Sequence, residues 1–97
     1  LDESPLRLVV AGDAALADAL ATELRSLGVP ASRVEGAQKP ALEYAASWDY
    51  PLVVIAGARS HRVVRVRDGA TLRVAVGAPD LIHLLTSFAH VASGAAL

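Results

Sequence analysis

Arginine is the residue type whose spacing in this sequence most suggests chemistry. Five arginines fall between positions 59 and 73 and carry most of the positive charge of the chain: Arg59, Arg62, Arg65, Arg67 and Arg73. The planar guanidinium group binds phosphates and the edges of nucleic-acid bases through paired hydrogen bonds. Arginines also occur where charge keeps an exposed hairpin from pairing with other chains. The cluster therefore predicts either a nucleic-acid contact or a charged, solvated hairpin.

No other set of side chains has the spacing of a catalytic or metal site. The absence of cysteine excludes disulfides, thiolate metal ligands and cysteine nucleophiles. His83 and His90 would lie about 10 Å apart along one helix axis, which is too far to hold one ion. Glycine follows three predicted strands, at Gly12, Gly57 and Gly77, but no GxGxxG or Walker motif is present. We expect tight turns at these glycines, and no catalytic residue in the domain.

Length and composition predict one domain with part of its apolar surface covered by another unit. The chain has 97 residues, of which 54% are hydrophobic, against about 45–50% in ordinary globular domains. A partner domain or a second copy, as in a homodimer, would cover the excess. The net charge of −1 gives no overall attraction to nucleic acid or membrane, so any basic surface must be local. Because neither a membrane-spanning run nor a signal peptide is visible, we expect a cytoplasmic protein without membrane contact.

The stretch from 39 to 57 organises the rest of the fold. Pro40 suits the first position of a helix, and residues 49–51 end that helix because a residue before proline is driven toward extended geometry. Residues 52–56 are apolar without alternation, which is typical of a strand covered on both faces. Trp48 stands between the helix and this strand. We expect Trp48 to cover the core rather than to stack on a nucleic-acid base.

Periodicity and turn residues along the chain predict the order β-α-β-α-β-β-β-α. The strands are expected at 6–11, 30–35, 52–56, 62–66 and 70–76, and the helices end near 27, 48 and 92. The third and fourth strands are joined by about four residues, too few for a parallel crossover, so they run antiparallel. We predict an α/β domain with three layers, α/β/α, around a five-stranded mixed sheet in the order 2-1-3-4-5. The single domain fills residues 1–97, with its core at 6–92, and its start at Leu1 indicates a piece of a longer chain.

The last two strands form a hairpin whose register decides which arginines share a face. Placing the apolar residues on one face requires a three-residue loop, residues 67–69, with its glycine left-handed. This loop gives two cross-strand pairs: Val66 with Ala70, and Val64 with Leu72. The opposite face then carries Arg65, Thr71 and Arg73, with Arg67 at the tip.

Three stretches, in this order, resemble the anticodon-binding domain of class II aminoacyl-tRNA synthetases of the histidyl, threonyl, prolyl and glycyl type. Residues 8–10 and 19–29 are similar to the first strand of the family and its "LA..LR..GI" helix. Residues 39–45 and 51–57 are similar to "KKQLKYA...G.P.VVIIG", with the histidyl branch the most similar. Residues 64–69 and 80–85 are similar to "V.VRD...G" and "DELVELL". The resemblance covers roughly residues 6–90 and implies the same order of strands and helices.

This resemblance implies that the domain binds the anticodon stem-loop of a tRNA and is itself non-catalytic. Aminoacylation, with its ATP, would belong to a separate catalytic domain of the parent chain, so no cofactor or metal is expected here. The residues expected to contact RNA are Lys39, Arg59, Arg65 and Arg67. Arg67 matches the family position that can read an anticodon base, and unstacked loop bases are what proteins read in RNA.

Departures from the family pattern favour a second interpretation. Pro40 stands where the family often has a second lysine, and residues 58–60 lack its usual acidic residue. The segment between Gly57 and Arg67 is also slightly shorter than in the family. These changes fall on the face that resembles the anticodon-reading side. The alternative is therefore a synthetase-like paralogue that acts as a regulatory or protein-interaction module without reading tRNA.

Overall fold

The computed structural model describes residues 6–90 and has the predicted order of strands and helices. The strands are β1 (Leu8–Gly12), β2 (Ala31–Arg33), β3 (Leu52–Ala56), β4 (Ser60–Arg65) and β5 (Thr71–Ala75). The helices are α1 (Ala14–Ser26), α2 (Gln38–Ser47) and α3 (Leu81–His90). The predicted continuation of the last helix to residue 92 lies outside the described residues.

The strands form one mixed sheet in the order β2-β1-β3-β4-β5. β1 pairs in parallel with β2 and β3, and β4 pairs antiparallel with β3 and β5. Only residues 57–59 separate β3 from β4, and a link of that length cannot cross over the sheet. The predicted strand order, the central place of β3 and the antiparallel step are therefore confirmed.

Helices cover both faces of the sheet, so the domain has three layers. Successive strand residues point to opposite faces. Leu8 and Val10 lie in one apolar core with α1 and α3, whereas Val9 and Ala11 lie in a second core with α2. Because α2 packs on β1 and β3, its side of the sheet is open at β4 and β5. The exposed residues on that open part are Arg62, Thr71, Arg73 and Ala75.

The β4–β5 hairpin is one residue out of the predicted register. Val64 pairs with Thr71 rather than with Leu72, and neither predicted cross-strand pair forms. Arg65 lies on the α1 and α3 side of the sheet, so the prediction that Arg65 shares a face with Thr71 and Arg73 is wrong. Apolar residues occur at 63, 64 and 66, on both faces of this segment. Alternation alone therefore does not select the register, and packing against the helices does.

The turn between β4 and β5 has four residues, 66–69, rather than three. The N–H of Gly69 donates to the carbonyl of Arg65 at 2.7 Å, and the N–H of Arg65 donates to the carbonyl of Ala70 at 2.8 Å. Gly69 has a φ of 75°, the left-handed geometry that the sequence predicts. Asp68 holds the turn because its carboxylate accepts the N–H of Ala70 at 3.1 Å and the guanidinium of Arg65 at 2.8 Å.

Candidate nucleic-acid interface

Arg65, one of the four predicted RNA-binding residues, is held inside the protein and is only 7% exposed. Its guanidinium donates to the carboxylate of Asp68 at 2.8–3.2 Å and to the carbonyl oxygen of Phe88 at 2.9 Å. It also lies 4.7 Å from the centroid of the Phe88 ring. These contacts occupy the donors that a phosphate or a base would need. Arg65 therefore links β4 to α3.

The ion pair between Arg65 and Asp68 is charged at neutral pH. Hydrogen bonds from the guanidinium of Arg65, and from the N–H of Ala70, lower the pKa of Asp68 from 3.8 to about 2. The hydrogen bond to Asp68 in turn raises the pKa of Arg65. The hairpin turn thus depends on an ionised carboxylate.

The other three predicted residues lie at opposite ends of the sheet. Arg67 is exposed in the turn after β4, beside the start of β3, where the N–H of Val66 donates to the carbonyl of Pro51 at 3.0 Å. Lys39 and Arg59 are exposed at the other end, at the start of α2 and just before β4. The length of β3, roughly 17 Å at about 3.3 Å per residue, separates the two ends. The four predicted residues therefore do not form one site.

Two other arginines join Lys39 and Arg59 at their end of the sheet. Arg62 on β4 lies directly opposite Arg73 on β5. Both are exposed on the α2 side, and among the described residues neither forms an ion pair. Arg62 donates to Oε1 of Gln38 at 3.2 Å, which ties the pair to the start of α2. We call Lys39, Arg59, Arg62 and Arg73 the basic face.

The start of α2 adds to the positive potential of the basic face. Its N-cap residue is Ala37, which has no side chain that could cap the helix. The first backbone N–H groups of a helix have no intrahelical partner, and the helix dipole makes this end partially positive. The sequence contains both arginines of the opposed pair, but their pairing could be inferred only with the correct hairpin register.

Other arginines of the described chain are engaged elsewhere. Arg33 donates to the carboxylate of Asp18 at 2.6 Å. Arg25 donates to the carbonyl of Ala31 at 2.7 Å. At the basic face, the one hydrogen bond from the Arg62 guanidinium to another described residue goes to the neutral amide of Gln38.

Trp48 is 62% exposed, so the prediction that it covers the core is wrong. The buried residues of α2 are Ala41 and Ala45, whose small side chains leave little room for an indole between helix and sheet. Trp48 is the C-cap residue of α2, and its ring lies against Tyr44 on the outer surface.

Four side chains form a continuous stack at the end of the sheet where Arg67 lies. The guanidinium of Arg7 lies 4.8 Å from the centroid of the Tyr50 ring. Tyr50 stacks on Tyr44 with ring centroids 6.1 Å apart and planes 23° apart. The rings of Tyr44 and Trp48 lie with their centroids 6.3 Å apart and their planes tilted by 43°. We call Arg7, Tyr50, Tyr44 and Trp48 the aromatic stack.

A groove of about 330 Å³ connects the aromatic stack with the hairpin turn. Asp49 and Tyr50 line one part of it, and Val66 and Arg67 line another. Arg67 is therefore separated from the basic face but shares a concave surface with Tyr50, one member of the aromatic stack.

Within residues 6–90, no cluster of three or more potential ligand side chains could hold a metal ion. None of the helices in this part of the chain has the length and apolar character needed to cross a membrane.

The chain matches no known family model and no curated protein. An interpretation of its function thus depends on its own residues and on the geometry described above.

Proposed function

We propose that this domain binds single-stranded RNA through the basic face, as an anticodon-binding domain of a class II aminoacyl-tRNA synthetase. The observation that carries the proposal is the position of Arg62 directly opposite Arg73. Like charges that face each other across two strands repel. An RNA phosphate between the two guanidinium groups would remove this repulsion and accept a charge-assisted hydrogen bond from each.

The distribution of the free cations favours a polyanion over a small anion. Arg62 and Arg73 form the middle pair of the β4–β5 ladder, and Arg67 lies exposed in the turn at one end of it. A small anion bound between Arg62 and Arg73 would not also reach Arg67. An RNA loop could extend from the pair to the turn, since its phosphates repeat along the chain.

The resemblance in sequence supports the tRNA anticodon loop as the RNA. Under this proposal the parent chain carries a catalytic domain of histidyl type, which uses ATP, and this domain contributes binding without catalysis or a cofactor. The setting is cytoplasmic, and a homodimer of the parent would place two such domains in one enzyme. Lys39 and Arg59 contact the RNA backbone, and Arg67 remains the proposed base-reading residue.

A salt titration with a tRNA anticodon stem-loop tests the proposal. Arg62→Ala and Arg73→Ala should each weaken binding by about ten-fold, the effect of losing a charged hydrogen bond. The slope of log affinity against log salt should fall by about 0.7 for each phosphate contact that is lost. Binding can be measured by fluorescence anisotropy of labelled RNA.

Arg33→Ala is the matched control because it removes the same charge from another part of the sheet, where Arg33 is paired with Asp18. It should leave both affinity and slope unchanged. Equal losses in all three variants would indicate diffuse attraction rather than a site. If the intact domain showed no salt-dependent binding of RNA, this result would contradict the proposal and favour a protein-interaction module.

A further inference from the structure

The aromatic stack ends at Trp48, whose side chain is exposed to solvent. The guanidinium of Arg7 lies over the ring of Tyr50, Tyr50 stacks on Tyr44, and the ring of Tyr44 lies beside that of Trp48. No further aromatic ring or guanidinium among the described residues continues the series beyond Trp48. The exposed indole therefore offers its surface to a planar group from another molecule.

Hydrogen bonds hold the inner part of the stack in place. The guanidinium of Arg7 donates to the carbonyl of Asp49 at 3.0 Å. The hydroxyl groups of Tyr50 and Ser32 lie 2.6 Å apart in a hydrogen bond. Asp49 has a φ of 61°, and the N–H of Tyr50 donates to the carbonyl of Ala45 at 2.9 Å, as at a helix end closed by a left-handed residue. The fold thus holds Arg7 and Tyr50 in place at the end of the stack away from Trp48.

The surroundings of Trp48 suit a nucleic-acid base better than an apolar protein surface. Asp49 follows Trp48 directly in the chain and lines a groove with Tyr50 and Arg67, so acceptors and donors for a base lie at the same end of the sheet as the indole. Stacking on aromatic side chains is the common way in which proteins hold unpaired bases. The stack and the Arg62–Arg73 pair also lie on the same side of the sheet, the side that carries α2.

We propose that Trp48 is a base-stacking site for an unpaired nucleotide of the bound RNA. This inference rests on the proposed RNA-binding function, but it uses a different part of the surface. The phosphate backbone is held at the basic face, while a base extruded from the loop stacks on the indole at the opposite end of β3. Arg67 lies at the same end of the sheet, where it lines a groove with Asp49 and Tyr50.

Fluorescence gives a direct test because Trp48 is the only tryptophan of the chain. Titration of the full chain with an RNA hairpin that has an anticodon-type loop should quench the indole emission in a saturable way. A fully paired RNA duplex of the same charge should not, since its bases are stacked on each other. Trp48→Ala should weaken hairpin binding about five-fold or more, the effect of one stacked base, and Trp48→Phe should lose less.

Leu27→Ala is the matched control, since Leu27 is also a large exposed apolar residue, at 55% exposure, and lies at the end of α1. It should leave RNA affinity unchanged. Trp48→Ala should shift Tm by less than about 4 °C because the side chain is on the surface.

The outcomes separate this inference from the proposed function. In one outcome, RNA binds with the expected salt dependence while the indole emission is unchanged and Trp48→Ala binds normally. That result would contradict the stacking site at Trp48 and leave the proposal of RNA binding at the basic face intact. Equal quenching by the hairpin and the duplex would also overturn it. If no RNA binds at all, both proposals fail.

Discussion

Arg62 and Arg65 show how two arginines on one strand acquire different roles. Residues three positions apart on a strand point to opposite faces. Arg65 faces α3, where Asp68 and the carbonyl of Phe88 accept its hydrogen bonds. Arg62 faces the open side and lies opposite Arg73. A shift of one residue in the hairpin register would exchange these environments, so residue type alone does not identify the RNA-binding arginines.

Ionised Asp68 should make folding stability depend on pH in the acid range. The pKa of Asp68 is about 2 in the folded protein and has an ordinary value of 3.8. Because its folded pKa is lower, the unfolded chain binds a proton first, and the stabilisation is present above pH 3.8. It is lost as the pH falls toward 2. Urea unfolding followed by circular dichroism at several pH values between 5 and 2 measures this loss.

Asp68→Asn isolates that contribution. The variant should be less stable than the unmodified chain at pH 5, and the difference should shrink as the pH approaches 2. A difference that stays constant over this range would contradict the assignment of Asp68 as the titrating group.

At the scale of elements, the short link between β3 and β4 sets the mixed character of the sheet. The N–H of Gly57 donates to Nδ1 of His61 at 3.2 Å. Burial lowers the pKa of His61, and the charge of Glu23 offsets this in part. The neutral ring therefore keeps an acceptor nitrogen for the link. A Cβ at Gly57 would overlap the carbonyl oxygen of Ser60, so the backbone has no room for a side chain there.

Gly57→Ala should consequently destabilise the fold more than Gly69→Ala. At Gly69 an added Cβ meets no atom within 4 Å, so the cost is that of left-handed geometry alone, about 1 kcal/mol. At Gly57 the β3–β4 link itself must move, and we expect a loss of roughly 2 kcal/mol or more. Chemical denaturation of both variants measures the two costs. Equal losses would contradict this account of the link.

At the scale of the whole molecule, two separate surfaces lie on the side of the sheet that carries α2. The basic face is at one end of β3 and the aromatic stack is at the other. With a net charge of −1 for the chain, attraction to RNA depends on where the arginines lie and not on their number. An RNA that contacts both surfaces must extend along the sheet.

The two surfaces should contribute independently to RNA affinity. Substitutions more than about 7–10 Å apart, with no shared partners, usually have additive effects. The factors by which Arg62→Ala and Trp48→Ala each weaken binding of the RNA hairpin should therefore multiply in the double variant. A double variant no weaker than either single one would mean that one contact forms only when the other does.

The sequence by itself determined the order of the elements and the antiparallel step. These follow from hydrophobic periodicity, turn residues and the length of one link, all of which are local along the chain. The hairpin register, the burial of Arg65 and the exposure of Trp48 were decided by the tertiary structure. Apolar residues on both faces of the β4 segment permit two registers, and only packing against α1 and α3 selects one. Likewise, the close fit of the α2 alanines on the sheet is a property of the packed helix, and it leaves the indole outside.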